Sequence, residues 1–151
     1  MILVIAEQRA GTLARVTWEA VAAAQQLAGG AADGSGRAPI AVGVLGGSAS
    51  AAASELAGVA VSQIVVVEHP ALEPYTPDGY VAACGALIES VAPAVVLLPH
   101  TYQTRDFAPL LAARLGRPLI TDVTGVSGTP ADATFTRPMF QGNWTSTPAI
   151  H

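Results

Sequence analysis

The chain has 151 residues, 51% of them hydrophobic and 12% charged, and its seven basic against eleven acidic side chains leave a net charge of −4. A chain of this length buries roughly 68 to 70% of the surface its unfolded form exposes, so one globular core is expected, and both disorder and a two-domain enzyme are excluded. All seven basic residues are arginines, scattered singly, and the pI is near 5.1. That excludes Schiff-base or P-loop lysine chemistry and leaves no electrostatic footprint for nucleic acid.

In chain order, the first continuously apolar run, Ile2 to Ala6, predicts a strand covered on both faces, because a sheet with one wet face would alternate. Leu13, Val16, Ala20, Ala24 and Leu27 then recur at steps of three and four, predicting a helix over Ala14 to Leu27 that Gly29-Gly30 stops. Gly29 to Pro39 (GGAADGSGRAP) reads as a flexible surface loop. Ile40 to Leu45 predicts the second strand, after which Ser48 can cap an alanine-rich helix ending at Gly58. The third strand is Ile64 to Val67, and Thr76-Pro77 supplies the cap and first residue of a helix running to about Val91. Val95 to Leu98 is the fourth strand, followed by a helix from about Arg105 to Leu115 that closes at Gly116.

Past Pro118 the rhythm changes: Val123 to Val126, Thr134 to Phe140 and Thr145 to Ile150 are strand-like and separated only by turns, which predicts antiparallel pairing at one sheet edge. Alternating βα units specify right-handed crossovers. The expected architecture is an α/β fold, a three-layer α/β/α sandwich with a mostly parallel sheet and antiparallel C-terminal strands.

Cys84 is the only cysteine, so no intrachain disulfide and no cysteine-based zinc cluster can form. The opening residues lack a basic region and meet Glu7 too early for a secretory leader, and the longest uncharged stretch, Ala38 to Ser54, is broken by Pro39 and by glycines. A cytoplasmic protein with no membrane insertion is expected.

In an open α/β sheet, ligands sit outside the carboxyl ends of the strands. Gly46-Gly47-Ser48 could offer N–H groups to a phosphate, but it matches no nucleotide fingerprint and reads better as a tight strand-to-helix turn. The loop Pro99 to Asp106 is the best site candidate. There Thr101, Thr104 and Arg105 could grip an anion, with Asp106 on a ribose hydroxyl or fixing Arg105. The blander reading, which we prefer, makes Thr104 the helix N-cap, puts Asp106 in the first turn and leaves Arg105 for a partner surface. His69, His100 and His151 have no metal-ligand spacing, and Cys84 lies among alanines where a buried thiol is ordinary, so no catalytic or metal constellation is read. In Arg137-Pro-Met-Phe-Gln-Gly-Asn143, Pro138 must sit at a sheet edge or bulge and Gly142-Asn143 suits a tight reversal, an arrangement fitted to docking another chain.

Four stretches together resemble the N-terminal domain of the electron transfer flavoprotein alpha subunit: Ile2-Leu-Val-Ile-Ala-Glu7, Thr104-Arg-Asp-Phe-Ala-Pro-Leu-Leu-Ala-Ala-Arg-Leu115, Thr121-Asp-Val-Thr124 and Arg137-Pro-Met-Phe-Gln-Gly-Asn143. The likeness runs over essentially the whole chain. It implies an adenine-nucleotide-hydrolase-like fold and an electron carrier rather than an enzyme. In such a carrier the alpha and beta subunits together hold one FAD, which takes electrons from acyl-CoA or other dehydrogenases and passes them to a quinone reductase. In the family the FAD is held mainly by a C-terminal domain of the alpha subunit, and the chain stops at His151, before any such domain. No FAD is therefore expected in this chain alone, and AMP, where the family has it, belongs to the beta subunit. The expectation is that 1–151 is the scaffold domain, docking the beta subunit with Arg137, Pro138, Gly142 and Asn143 as its signature. The alternative is a stand-alone nucleotide-binding module of universal-stress type, using Thr101, Thr104, Arg105 and Asp106. A weaker option is an enzyme using Asp106 and His100.

Overall fold

The computed structural model describes residues 1–29 and 36–139, and the backbone of 144–146. Strand β1 (Ile2–Ala6) is buried along its whole length, as its unbroken apolar run requires. It leads into a two-residue hairpin absent from the sequence reading, β2 (Gln8–Arg9) and β3 (Thr12–Leu13), whose turn holds Ala10 and Gly11 at φ of 50° and 81°. Two consecutive left-handed residues are what a tight hairpin needs, and only the glycine adopts that region freely.

Helix α1 (Arg15–Ala28) follows, with Ala20, Val21, Ala24, Leu27 and Ala28 buried along one stripe, and Gly29 at φ 62° ends it. Strand β4 (Ile40–Gly46) is again wholly buried. Helix α2 (Ala49–Ser54) is shorter than predicted and does not reach Gly58. Its end is set by tertiary contacts. Ser54 bonds back to the Ser50 carbonyl at 3.1 Å, the Glu55 carboxylate accepts the Leu13 N–H at 3.0 Å, and the chain turns so that Leu56 is fully buried. Nor does Ser48 cap it. The Glu68 carboxylate takes the Ser50 N–H at 2.6 Å instead, and this bond holds the Glu68 carboxyl below the usual carboxylate range.

Strand β5 (Gln63–Glu68) departs from the expectation of burial on both faces, since it is an edge strand with Val66 40% exposed. Helix α3 (Pro77–Val91) starts as predicted, the Thr76 hydroxyl accepting the Gly79 N–H. Strand β6 (Val95–Leu97) and helix α4 (Tyr102–Leu115) complete the βα series. The helix begins three residues before Arg105 and its cap is Thr101, not Thr104.

All four strands of the main sheet are parallel, in the order β5-β4-β1-β6. Side-chain alternation splits its core in two. Ile2, Val4, Ala6, Ile40, Val42 and Val44 meet α1 and α2 on one face, while Leu3, Ile5, Ala41 and Leu45 meet α3 and α4 on the other. The three-layer α/β/α sandwich is thus confirmed.

The antiparallel strands β7 (Gly125–Ser127), β8 (Thr134–Met139) and β9 (Trp144–Ser146) do not extend an edge of this sheet, as predicted, but form a sheet of their own. That sheet packs on α1, where Val126, Ala133 and Phe135 join the core and Gln26 Nε2 donates to the Val126 carbonyl at 2.8 Å.

Candidate functional site

The strand order reverses at β1. The chain steps outward from β1 to β4 and β5, then returns to place β6 on the other side, so the crevice expected to receive a ligand lies between the ends of β1 and β6. Glu7 leaves the end of β1 here. Its backbone is clamped by Thr17, which is fully buried and accepts the Glu7 N–H while donating to the Glu7 carbonyl, both at 3.0 Å. Its carboxylate accepts the Thr101 hydroxyl at the start of α4. The same Thr101 oxygen accepts the Thr104 N–H at 3.1 Å and lies 3.2 Å from the Thr104 hydroxyl. The residual space, bounded by Ala6, Glu7, Tyr80, Gln103, Thr104 and Phe107, is about 10 Å³. That is room for one water at most.

The four loop residues singled out in the sequence therefore divide. Thr101 and Thr104 come together, but in a helix-capping network that a carboxylate of this chain already completes. Asp106 lies beyond the first turn of α4, contrary to expectation, and neither fixes Arg105 nor stands free. It accepts the Tyr75 hydroxyl at 2.8 Å, and burial together with this carboxylate pushes the Tyr75 phenol well above its usual value. Arg105 is exposed and, among the described residues, has no ion pair. Sequence reasoning missed Glu7 and Tyr75 as the partners. A carboxylate directly after a buried strand was the available signal for Glu7.

Loss of the Thr101 hydroxyl removes an N-cap and leaves Glu7 without its donor. Thr101→Ala is expected to cost about 1–2 kcal/mol and to lower the melting temperature by several degrees, read by thermal unfolding followed by circular dichroism.

The histidines do not converge. His69 Nδ1 accepts the Ala71 N–H at 3.1 Å, and His100 Nε2 lies 3.4 Å from Asp122 Oδ1 at the surface. His151 lies outside the described residues, among which no cluster could hold a metal. Cys84 is fully buried, and burial pushes its thiol up to about 12, out of reach of nucleophilic chemistry at neutral pH. Gly47 packs its α-carbon against Glu73, so that an added Cβ would come within 2.5 Å of the carboxylate, which makes Gly46-Gly47-Ser48 the tight turn that was expected.

A larger groove of about 690 Å³ follows the edge of β6 not paired with β1. Its floor is apolar, with Leu97, Ala108, Leu111 and Phe135, and its mouth near the carboxyl end of β6 carries His100, Thr104, Arg105 and Asp122, so two of the four loop residues singled out in the sequence line this groove.

Of the C-terminal signature, Arg137 and Pro138 lie on β8, and Gly142 and Asn143 lie outside the described residues. Thr136 turns its carbonyl to the Thr124 N–H at 2.8 Å, and Pro138, two residues on, faces the same way past the start of β7. The proline thus stands where, among the described residues, β8 has no paired strand on that side. Its other flank lies opposite Thr145 of β9.

A doubly wound parallel sheet clad by helices, with a small antiparallel sheet packed on its first helix and a Glu7–Thr101–Thr104 network at the end of β1, defines an α/β domain. The electron transfer flavoprotein domain model matches residues 2–149, and the chain belongs to that family. It is 37% identical to the electron transfer flavoprotein subunit alpha of Bacillus subtilis (strain 168), over 93% of this chain and 41% of that one. It is 32% identical to the subunit of the same name from Syntrophomonas wolfei, over 92% and 41%. It is also 32% identical to the acryloyl-CoA reductase electron transfer subunit beta of Anaerotignum propionicum, over 82% and 32%. The chain spans about two fifths of the length of the curated alpha subunits it matches. Among the described residues no helix is long and apolar enough to cross a membrane.

Proposed function

We propose that residues 1–151 form the N-terminal scaffold domain of an electron transfer flavoprotein alpha subunit. Its work is to dock the beta subunit, so that the FAD of the assembled heterodimer carries electrons from dehydrogenases to a quinone reductase. The observation that carries this reading is the family match along 2–149. At the end of β1 the Glu7 carboxylate, tied to the Thr101 hydroxyl, would oppose a pyrophosphate. In this reading the flavin sits outside the domain, and the domain holds its neighbours in position.

Co-expression of the full-length alpha chain with the beta subunit of the same organism tests it. The expected result is a one-to-one complex, isolated by size exclusion, that carries flavin absorbance. Absence of any association would overturn the reading. The universal-stress alternative is separated by titration with AMP and ATP: at millimolar nucleotide the domain is expected to give no heat and no thermal shift.

A further inference from the structure

The groove of about 690 Å³ beside β6 lies in the plane of the main sheet. The Ile2 N–H goes to the Pro39 carbonyl on the β4 side, so Leu3 turns its backbone toward β6. In a parallel ladder Leu3 then bonds the residues on either side of its register partner, Val96. Val95 and Leu97 therefore point at β1, while the Val96 N–H and C=O point the other way, into the groove. There they have no backbone partner among the described residues. The far wall is the segment 118–123, whose backbone likewise makes no backbone hydrogen bond among the described residues. The remaining walls come from both helical layers, with Ala20 and Ala23 of α1 on one side and Leu111 and Ala112 of α4 on the other. Both faces of β6 reflect this: Val96 and Leu97 point to opposite layers, and each is only half-buried. A space in the plane of a sheet, with peptide groups along its inner edge and apolar side chains above and below, matches an apolar strand covered on both faces. The peptide row selects a backbone, and the alanines leave room for its side chains.

Resting on the scaffold reading above, we propose that this slot receives a fifth strand of the main sheet, supplied by the full-length alpha chain itself as the first continuously apolar run after residue 151. Two observations favour that source. The chain covers 41% of the Bacillus subtilis and Syntrophomonas wolfei subunits, so more than half of such a subunit lies outside it. In addition, β9 runs back along β8, with Trp144 opposite Met139 and Ser146 opposite Arg137, so it heads toward Phe135, which lines the slot together with Val126. A strand delivered by the same chain also loses less freedom on docking than one brought by a separate molecule. The open edge of β6 is therefore closed within the alpha subunit, and the beta subunit docks elsewhere.

The test is residue-resolved hydrogen exchange on the full-length alpha chain, alone and with the beta subunit. The Val96 amide is expected to exchange within about tenfold of the Val42 amide of β4 in both samples. An apolar-to-aspartate change in the middle of the first apolar run after residue 151 should speed exchange at Val96 at least about 100-fold while leaving Val42 within about threefold. Should that change unfold the chain, Ala112→Phe decides: it would simply occupy an open groove, but against a seated strand it overpacks and lowers the melting temperature of the full-length chain. A Val96 amide that exchanges without protection overturns the inference. So does protection that appears only with the beta subunit, which would assign the slot to that partner. Protection that the aspartate leaves untouched overturns it too, and makes 118–123 the cover. An unchanged or raised melting temperature for Ala112→Phe has the same force. None of these results touches the scaffold reading, which falls instead if the full-length alpha chain fails to associate with the beta subunit.

Discussion

Phe107→Ala is expected to destabilise the domain by about 3–5 kcal/mol, the largest single effect predicted for this chain. Phe107 is 2% exposed and fills the contact between α3 and α4, its ring centroid 5.7 Å from that of Tyr80, which in turn meets Tyr75 edge-on at 5.0 Å. Truncation removes the ring's transfer energy and leaves a hole that rigid neighbours, Leu3 and Ile5 on β1 and Leu111 on α4, refill only partly. Set against a total stability of about 5–15 kcal/mol, the loss approaches the threshold for unfolding. Urea titration should show a much lower midpoint, with little change in slope. A midpoint within about 0.3 M of the parent would mean that the two helices close the space unaided. Phe107 also lines the small space beneath Glu7 and Thr104, so its removal enlarges the crevice. The variant is therefore a second check on nucleotide binding: if it still ignores AMP, volume alone is not what excludes the ligand.

Gly46→Ala is expected to cost about 2–4 kcal/mol, from two sources. Gly46 ends β4 at φ +150°, a conformation in which an L side chain is strained, and a Cβ there would fall on the Gln8 amide. Gln8 is 8% exposed, donates to the Leu45 carbonyl at 3.2 Å and accepts the Gly11 N–H at 2.9 Å, so displacing it strips two partners at once. Gln8→Ala separates the contributions, since it removes the hydrogen bonds and relieves the clash. In the Gln8→Ala background, Gly46→Ala should cost only the backbone strain, about 1–3 kcal/mol, measured by the same urea titration.

The strands were legible because burial on both faces writes itself as an unbroken apolar run, and Ile2 to Ala6 and Ile40 to Leu45 lie where those runs place them. Helix α3 was legible because Thr76-Pro77 is a local signal that nothing distant overrides. The start of α4 was not. Thr101 and Thr104 are both competent caps, and the choice between them is made by Glu7, 94 residues away in the chain. Asp106 was misread for the same reason, its partner Tyr75 being 31 residues away. The antiparallel strands were recognised but not their seat, because packing of Val126 and Phe135 against α1 joins segments about 100 residues apart and leaves no local signal. At the loop after β6, Thr101 and Thr104 come together, but their partner Glu7 and the Asp106 partner Tyr75 lie on distant segments that no local pattern encodes. The doubly wound pattern and the four quoted stretches were enough for the family, since both are carried in contiguous sequence.

The position of Pro138 has a consequence for assembly. A second hairpin of the same kind laid alongside β8, where β7 stops, would meet a carbonyl but no hydrogen to match it, and the growing ladder would lose a rung at its first step. Propagation of the small sheet from molecule to molecule along that margin is thereby discouraged. What remains available for recognition is the broad surface of the ribbon rather than its rim, so a companion must be admitted by the shape and charge of side chains and not by backbone pairing, which any strand can supply.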